Sequence, residues 1–352
     1  MPNAPLWQQV NQPSGRANVR RRDAPSTLLG PPVTWLFAQL QRLLARIALA
    51  LAPESARLRA VLGRAHAELG DDALAAAYLE GALERDTSLG GAWLSLGHIH
   101  ARRRQPVRAA TCYERARQLG LTGADLPFAL ANVLYEQGAV AEALDLYHLA
   151  VAVEPTHSQS WFNLGHALKA RDQLHAAEAA FAAAVRSDPR FFKARFMRAH
   201  VLSLLGRSLE AVSEYHETLR YSPTYVKAHY NLGSHHLKEG EFEGAVKRFR
   251  RVLHLDPNYD RAHHALGQAY AAMGRFTDAR EALTHAIRLR VGNHSARLQL
   301  ARVLDELGLG AEAAVHYRQW LRDSPPPHPT ADTALAEQDS VKRRLQELAR
   351  PN

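Results

Sequence analysis

The strongest constraint on this chain is a spacing. Leucine is followed by a small residue at Leu62-Gly63, Leu96-Gly97, Leu130-Ala131, Leu164-Gly165, Leu232-Gly233, Leu266-Gly267 and Leu300-Ala301. The step is 34 residues, with one double step over Arg198-Ala199. Twelve residues after each small residue stands an alanine: Ala75, Ala109, Ala143, Ala177, Ala211, Ala245, Ala279 and Ala313. Four residues further comes a large apolar or aromatic side chain: Leu79, Tyr113, Tyr147, Phe181, Tyr215, Phe249, Leu283 and Tyr317. A period of this length marks a supersecondary unit that cannot bury its apolar face alone, so that stacking of neighbours must supply the core. A chain of 352 residues is also longer than one compact core usually grows.

Each repeat divides into two helical stretches. Gly70, Gly138, Gly206, Gly240, Gly274 and Gly308 stand where the first must stop, because glycine accepts the left-handed conformation of a helix C-terminus. Pro155, Pro189, Pro223, Pro257 and Pro325 close the second, since proline cannot continue a helix. The small residues at the Gly63 and Ala75 positions let the two helices approach, and the large residue at the Phe181 position fills the space between them.

With openings such as Trp93-Leu94-Ser95-Leu96-Gly97 and Trp161-Phe162-Asn163-Leu164-Gly165, this unit resembles the tetratricopeptide repeat (TPR). The resemblance covers eight units, residues 56–327, and implies an all-α solenoid, a right-handed superhelix of antiparallel helix pairs. The departures are local. Thr87, Leu121 and Val291 replace the closing proline, Arg104 and Asp172 the mid-repeat glycine, and Arg198 the leucine.

Outside the array, residues 1–32 carry six prolines and Arg20-Arg21-Arg22 without apolar periodicity, and we expect a disordered basic tail. Residues 33–53 read as a leading amphipathic helix and partial repeat, because Ala48 to Pro53 resembles a repeat's closing sequence. A membrane anchor or signal peptide, and a lipid-surface helix, are alternatives for residues 33–52. Residues 328–352 read as the end of a Pro-rich linker followed by a capping helix, with Leu335, Val341, Leu345 and Leu348 on one side and Lys342, Arg343 and Arg344 on the other.

One cysteine, Cys112, excludes an internal disulfide and a four-cysteine zinc site. The nineteen histidines show no His-Glu-x-x-His spacing, the glycines are accounted for by the repeat, and no nucleophile stands in a recognisable turn. We therefore expect no catalysis, cofactor, metal or small-molecule substrate. The net charge is +9, of which residues 1–55 carry +4 and residues 90–123 +5, while residues 124–157 carry −5. The alternative function is nucleic-acid association through the tail and Arg102, Arg103 and Arg104, or assembly at the envelope through residues 33–52.

The resemblance implies a protein-binding scaffold, which we expect in the cytoplasm, with the first helix of each repeat lining a concave groove. Positions are counted from residues 56, 90, 124 and so on. Position 5 supplies Phe128, Phe162, Phe196 and Tyr230, position 9 supplies Asn132, His166 and His200, and position 2 supplies Lys193, Lys227 and Arg261. An aromatic floor flanked by cations suits an extended or helical, partly acidic protein segment. The family's carboxylate clamp needs lysine at position 5 beside asparagine at position 9. Here Phe128 precedes Asn132, so that activity is not expected.

Overall fold

A computed structural model describes residues 33–323 and 332–349. The tail 1–32 and the Pro-rich linker lie outside the described residues. The chain divides into two compact units, residues 1–207 and 208–352. Among the described residues every regular element is a helix. In the N-terminal unit, α1 (Val33–Leu51) precedes the pairs α2 (Ala56–Glu68) and α3 (Asp72–Leu83), α4 (Gly90–Arg102) and α5 (Pro106–Gln118), α6 (Asp125–Glu136) and α7 (Val140–Val153), and α8 (Ser158–Ala170) and α9 (Leu174–Ser187). Helix α10 (Phe192–Leu204) ends it. In the C-terminal unit, α11 (Ser208–Tyr221) precedes α12 (Val226–Lys238) and α13 (Phe242–Leu255), α14 (Asp260–Ala272) and α15 (Phe276–Leu289), and α16 (His294–Glu306) and α17 (Gly310–Asp323). Helix α18 (Asp332–Leu348) comes last.

Within a pair, the first helix ends on a left-handed residue. Gly70 has φ 82°, and Asp71 N–H then bonds back to His66 C=O at 2.9 Å, closing a Schellman turn. Arg104 and Asp172 stand at the same place with φ 57° and 59°. Gln105 N–H still reaches His100 C=O at 2.9 Å, and Gln173 N–H reaches Leu168 C=O at 3.0 Å. The turn is imposed by the packing of the two helices, and the side chain there is tolerated at a steric cost that glycine avoids.

The pairs approach closely enough to exclude a β-carbon. One added at Gly97 would lie 2.5 Å from Tyr113 Cε1, and one at Gly165 would lie 2.7 Å from Phe181 Cε1. The large residue of the second helix thus packs against the bare backbone of the first. The alanines of the second helix are sealed: Ala75, Ala109, Ala143, Ala177, Ala245, Ala279 and Ala313 have no exposed surface.

Successive repeats are tied by a bond that the sequence did not announce. The side chain at position 4 donates to the carbonyl of the preceding repeat's closing residue. Trp161 Nε1–H donates to Pro155 C=O at 2.9 Å, and His229 and His263 Nε2 reach Pro223 and Pro257 C=O at 3.0 Å. Where the closing proline is replaced the bond persists. Trp93 Nε1–H donates to Thr87 C=O at 2.9 Å and Arg297 Nη2 to Val291 C=O at 2.7 Å. The carbonyl is the conserved partner within the array, which explains why those two departures leave the register intact. Repeat three is the exception, with Pro127 at position 4 and no donor to give.

At the start of the array Arg59 Nη2 donates to Pro53 C=O at 2.9 Å, so α1 is seated as the second helix of a preceding repeat. At the end, α18 packs on α17. Val341 is buried, Leu345 and Leu348 pack against the core, and Leu335 is 42% exposed. Arg344 is exposed and is also anchored. It forks onto Asp305 at 2.8 and 3.1 Å, and Lys342 and Arg343 are exposed beside it in sequence.

Candidate functional site

In each unit the first helices pack on the next first helices, α2 on α4, α4 on α6 and α6 on α8, and likewise α12 on α14 and α14 on α16. The face they share carries positions 5 and 9, one helical turn apart.

In the N-terminal unit a groove of about 380 Å³ opens between α4 and α6, lined by His98, Arg102, Asp125, Phe128, Asn132 and Glu136 among others. Asn132 is held from behind. Its Oδ1 accepts from Tyr147 Oη–H at 2.7 Å and from Asn163 Nδ2–H at 2.7 Å. These two contacts fix the side chain, which lines the groove with an amide able to donate and accept. Phe128 is half-buried, tilted on Tyr147 at 6.3 Å and edge-on to His157 at 5.1 Å. His157 itself caps α8. Its Nδ1 accepts from Ser160 N–H at 3.2 Å, and its Nε2 lies 3.8 Å from Asp125 Oδ1. Burial, and then the Arg102 charge, push the His98 imidazole below its ordinary range, favouring the neutral ring.

Phe162 and Phe196 do not lie open on the floor. They are 4% and 7% exposed. Phe162 packs on Phe181 at 5.8 Å and Phe191 at 4.9 Å, and the His166 ring stands on it at 4.6 Å. His166, Lys169 and His200 are each half-buried there, and His166 covers the Phe162 ring. The reason is steric. Position 5 points at the large residue of the second helix, and position 9 closes over it. Burial, then Lys169 and then His200 depress the His166 pKa to about 4. His200 is also shifted down, by burial and then Lys169, and its buried Nδ1 has no hydrogen-bond partner. Both rings are therefore neutral at pH 7. Lys193, at position 2 of α10, is half-buried.

In the C-terminal unit Tyr230 is half-buried between Phe249 at 5.8 Å and Tyr259 at 5.3 Å. Lys227 and Arg261 are exposed one repeat apart. A second groove of about 400 Å³ lies between α14 and α16, lined by Gln268, Gln299, Arg302 and Glu306 with apolar neighbours. Arg302 is held by Glu337 of α18 at 2.8 Å, which puts the last helix beside the end of this groove.

The basic patch of repeat two is partly internal. Arg102 is forked onto Asp72 of the preceding repeat, and that hydrogen bond holds the Asp72 carboxyl below its usual range. Burial pushes the Cys112 thiol up to about 11, so it is a poor nucleophile. Among the described residues no group of three or more His, Cys, Asp or Glu comes within range of a shared metal ion. No described helix is long and apolar enough to cross a membrane. Asn163 and Tyr147, which set Asn132, were missed from the sequence. Their only signal was an asparagine at position 6 opposite a tyrosine, an arrangement repeated by Asn231 and Tyr215 at 2.8 Å.

No curated protein matches this sequence. Sequence models of the tetratricopeptide repeat match residues 41–89 and 94–158, 158–191, and 202–269 and 236–292, well over half of the chain together. Among solved structures, the C-terminal part of a TPR repeat-containing protein from Cytophaga hutchinsonii is 15% identical, with a TM-score of 0.53 over 66% of this chain and 99% of that one. A tetratricopeptide repeat protein from Parabacteroides merdae is 13% identical, with a TM-score of 0.52 over 75% of this chain and all of that one. YrrB, described as a TPR protein with an unusual peptide-binding site, is 21% identical, with a TM-score of 0.47 over 52% of this chain and 95% of that one. With its 34-residue helix pairs, its sealed alanines and these matches, the chain belongs to the tetratricopeptide-repeat family.

Proposed function

We propose that this protein is a non-catalytic adaptor that holds an extended or helical, partly acidic protein segment along its first-helix face. The observation that carries the reading is the pre-set amide of Asn132. Two internal partners hold its oxygen, and Asn132 lines a groove of about 380 Å³ beside the half-buried ring of Phe128. An anchored amide next to an apolar step suits a backbone carbonyl followed by a side chain. The preference for acidic residues rests on Lys227 and Arg261, both exposed. Capture of Arg102 by Asp72 weakens the nucleic-acid alternative, because it removes one cation from the patch on which that alternative depends.

Asn132→Asp tests this directly. The carboxylate keeps both internal acceptor bonds and loses the amide donors. Affinity capture from the native cell, with mass spectrometry, should yield partners that survive nuclease treatment and are lost with Asn132→Asp or with Lys227→Glu plus Arg261→Glu. Retention of every partner by both variants, or loss on nuclease treatment alone, would overturn the proposal.

A further inference from the structure

The outward face of α1 has no role in the array. The helix docks on α2 through its small side chains, with Ala38 fully buried and Ala45 5% exposed. On the opposite side Leu36, Phe37, Leu40, Leu43, Leu44, Ile47 and Leu51 are between 52% and 85% exposed. At about 100° per residue these seven span an arc of roughly 120° that contains no polar residue. Contiguous apolar surface of this kind marks a place where something else binds.

The repeat register shows how far α1 departs from its equivalents. Leu40 occupies the place held in five of the eight later repeats by Arg108, Glu142, Glu210, Asp278 and Glu312, and in the other three by Leu74, Ala176 and Gly244. A surface that is charged and wet along much of the array is apolar here.

Three occupants can be weighed. By register the first helix of a preceding repeat would lie against Gln41 and Ala48, the equivalents of Ala75 and Ala82, Ala45 being already buried. Leu36, Leu40, Leu43 and Ile47 would remain uncovered. A second copy is opposed by charge. Helix α1 contains no Asp or Glu, and its only charges are Arg42 and Arg46. Two copies paired through it would bring cations together without an acidic partner. An anionic lipid surface meets both halves of the pattern. The apolar arc would enter the acyl boundary, and Arg46, exposed on one flank, would lie at headgroup level.

We propose that α1 docks the protein, flat and peripherally, on an anionic lipid surface through its Leu36, Leu40, Leu43 and Ile47 face.

The test uses the full chain and co-sedimentation with vesicles of phosphatidylcholine alone, or with phosphatidylglycerol replacing part of it. Wild type should bind the anionic vesicles roughly tenfold or more tightly than the zwitterionic ones, with the difference shrinking at high salt. Leu40→Asp with Leu44→Asp changes only exposed positions. It should leave the helical circular dichroism unchanged and reduce vesicle binding roughly tenfold or more. Arg46→Glu should weaken anionic binding several-fold and leave zwitterionic binding unchanged. Failure of wild type to bind the anionic vesicles, equal binding to both kinds, or undiminished binding by the double variant would overturn the proposal. So would a wild-type dimer that the double variant dissolves while vesicle binding persists, since the face would then be a contact between copies.

Discussion

Replacing Gly165 by alanine adds one methyl group, and the structure gives the sign of the effect. The new carbon would lie 2.7 Å from Phe181 Cε1 and 2.9 Å from both Cδ1 and Cζ. Carbon atoms at rest stand about 3.5–4.0 Å apart, so the ring must move by about 1 Å. It has nowhere to go. Phe181 is fully buried, with Phe162 at 5.8 Å and His166 at 5.4 Å from its centroid. Overpacking of this kind costs about 1–3 kcal/mol, while alanine returns about 1 kcal/mol of helix propensity over glycine. The net expectation is destabilisation of about 1 kcal/mol. Gly81, inside α3, is the control, because a β-carbon there would meet nothing within 4 Å. Gly81→Ala should stabilise by up to about 1 kcal/mol. Urea or thermal unfolding followed by circular dichroism reads both, at roughly 2–4 °C per kcal/mol for a unit of this size. Because stacked repeats open piecewise, hydrogen exchange of the α8 and α9 amides locates the loss. If Gly165→Ala stabilises as Gly81→Ala does, the close pairing of α8 and α9 described here is wrong.

Asp172→Gly should raise the unfolding free energy by up to about 1 kcal/mol, since the residue is left-handed at φ 59°. Gly274→Ala, at φ 72°, should lower it by a similar amount. Trp161→Phe keeps most of the ring and loses the bond to Pro155 C=O, and should cost about 1 kcal/mol in the same assay. The pH dependence follows from His166. Its folded pKa, about 4, lies below the unfolded value of 6.5, so between those limits the unfolded chain binds the proton that the folded chain refuses. Stability should fall as pH drops through that window. In His166→Gln the fall should be shallower, and an unchanged slope in urea titrations at pH 7, 6 and 5 would refute the assignment.

Much of the fold was legible because it is periodic. The glycine and alanine positions follow from the need for two helices to touch, and that need is written into residue size. The turn at Arg104 and Asp172 could be placed for the same reason. The period identified the position when the residue type did not, and both adopt the left-handed backbone expected of glycine. The site was less legible. Position 5 could be named, but which way its ring faces depends on the partner helix, and Phe162 and Phe196 are turned into the core. Asn132 was found by its place in the repeat. Its orientation comes from Tyr147 and Asn163, one on the second helix of the same repeat and the other on the first helix of the next.

The ends of the array show the division most clearly. That α1 is amphipathic, and continuous with the repeat, follows from one-dimensional spacing, because helical geometry converts sequence distance into direction. Which side it buries does not. Spacing gives an apolar stripe, and the natural expectation is that the stripe faces the core. In the folded chain Ala38 and Ala45 take that place and the leucines face outward. A helix packs where its backbone can come closest, and small side chains allow an approach that large ones prevent. Likewise Arg102 counts as one more cation in the sequence, and only the seating of α4 on α3 brings it to Asp72. Period, register and helix limits are properties of neighbours along the chain. Orientation, pairing and what remains exposed are properties of neighbours in space, and these were decided by the tertiary structure.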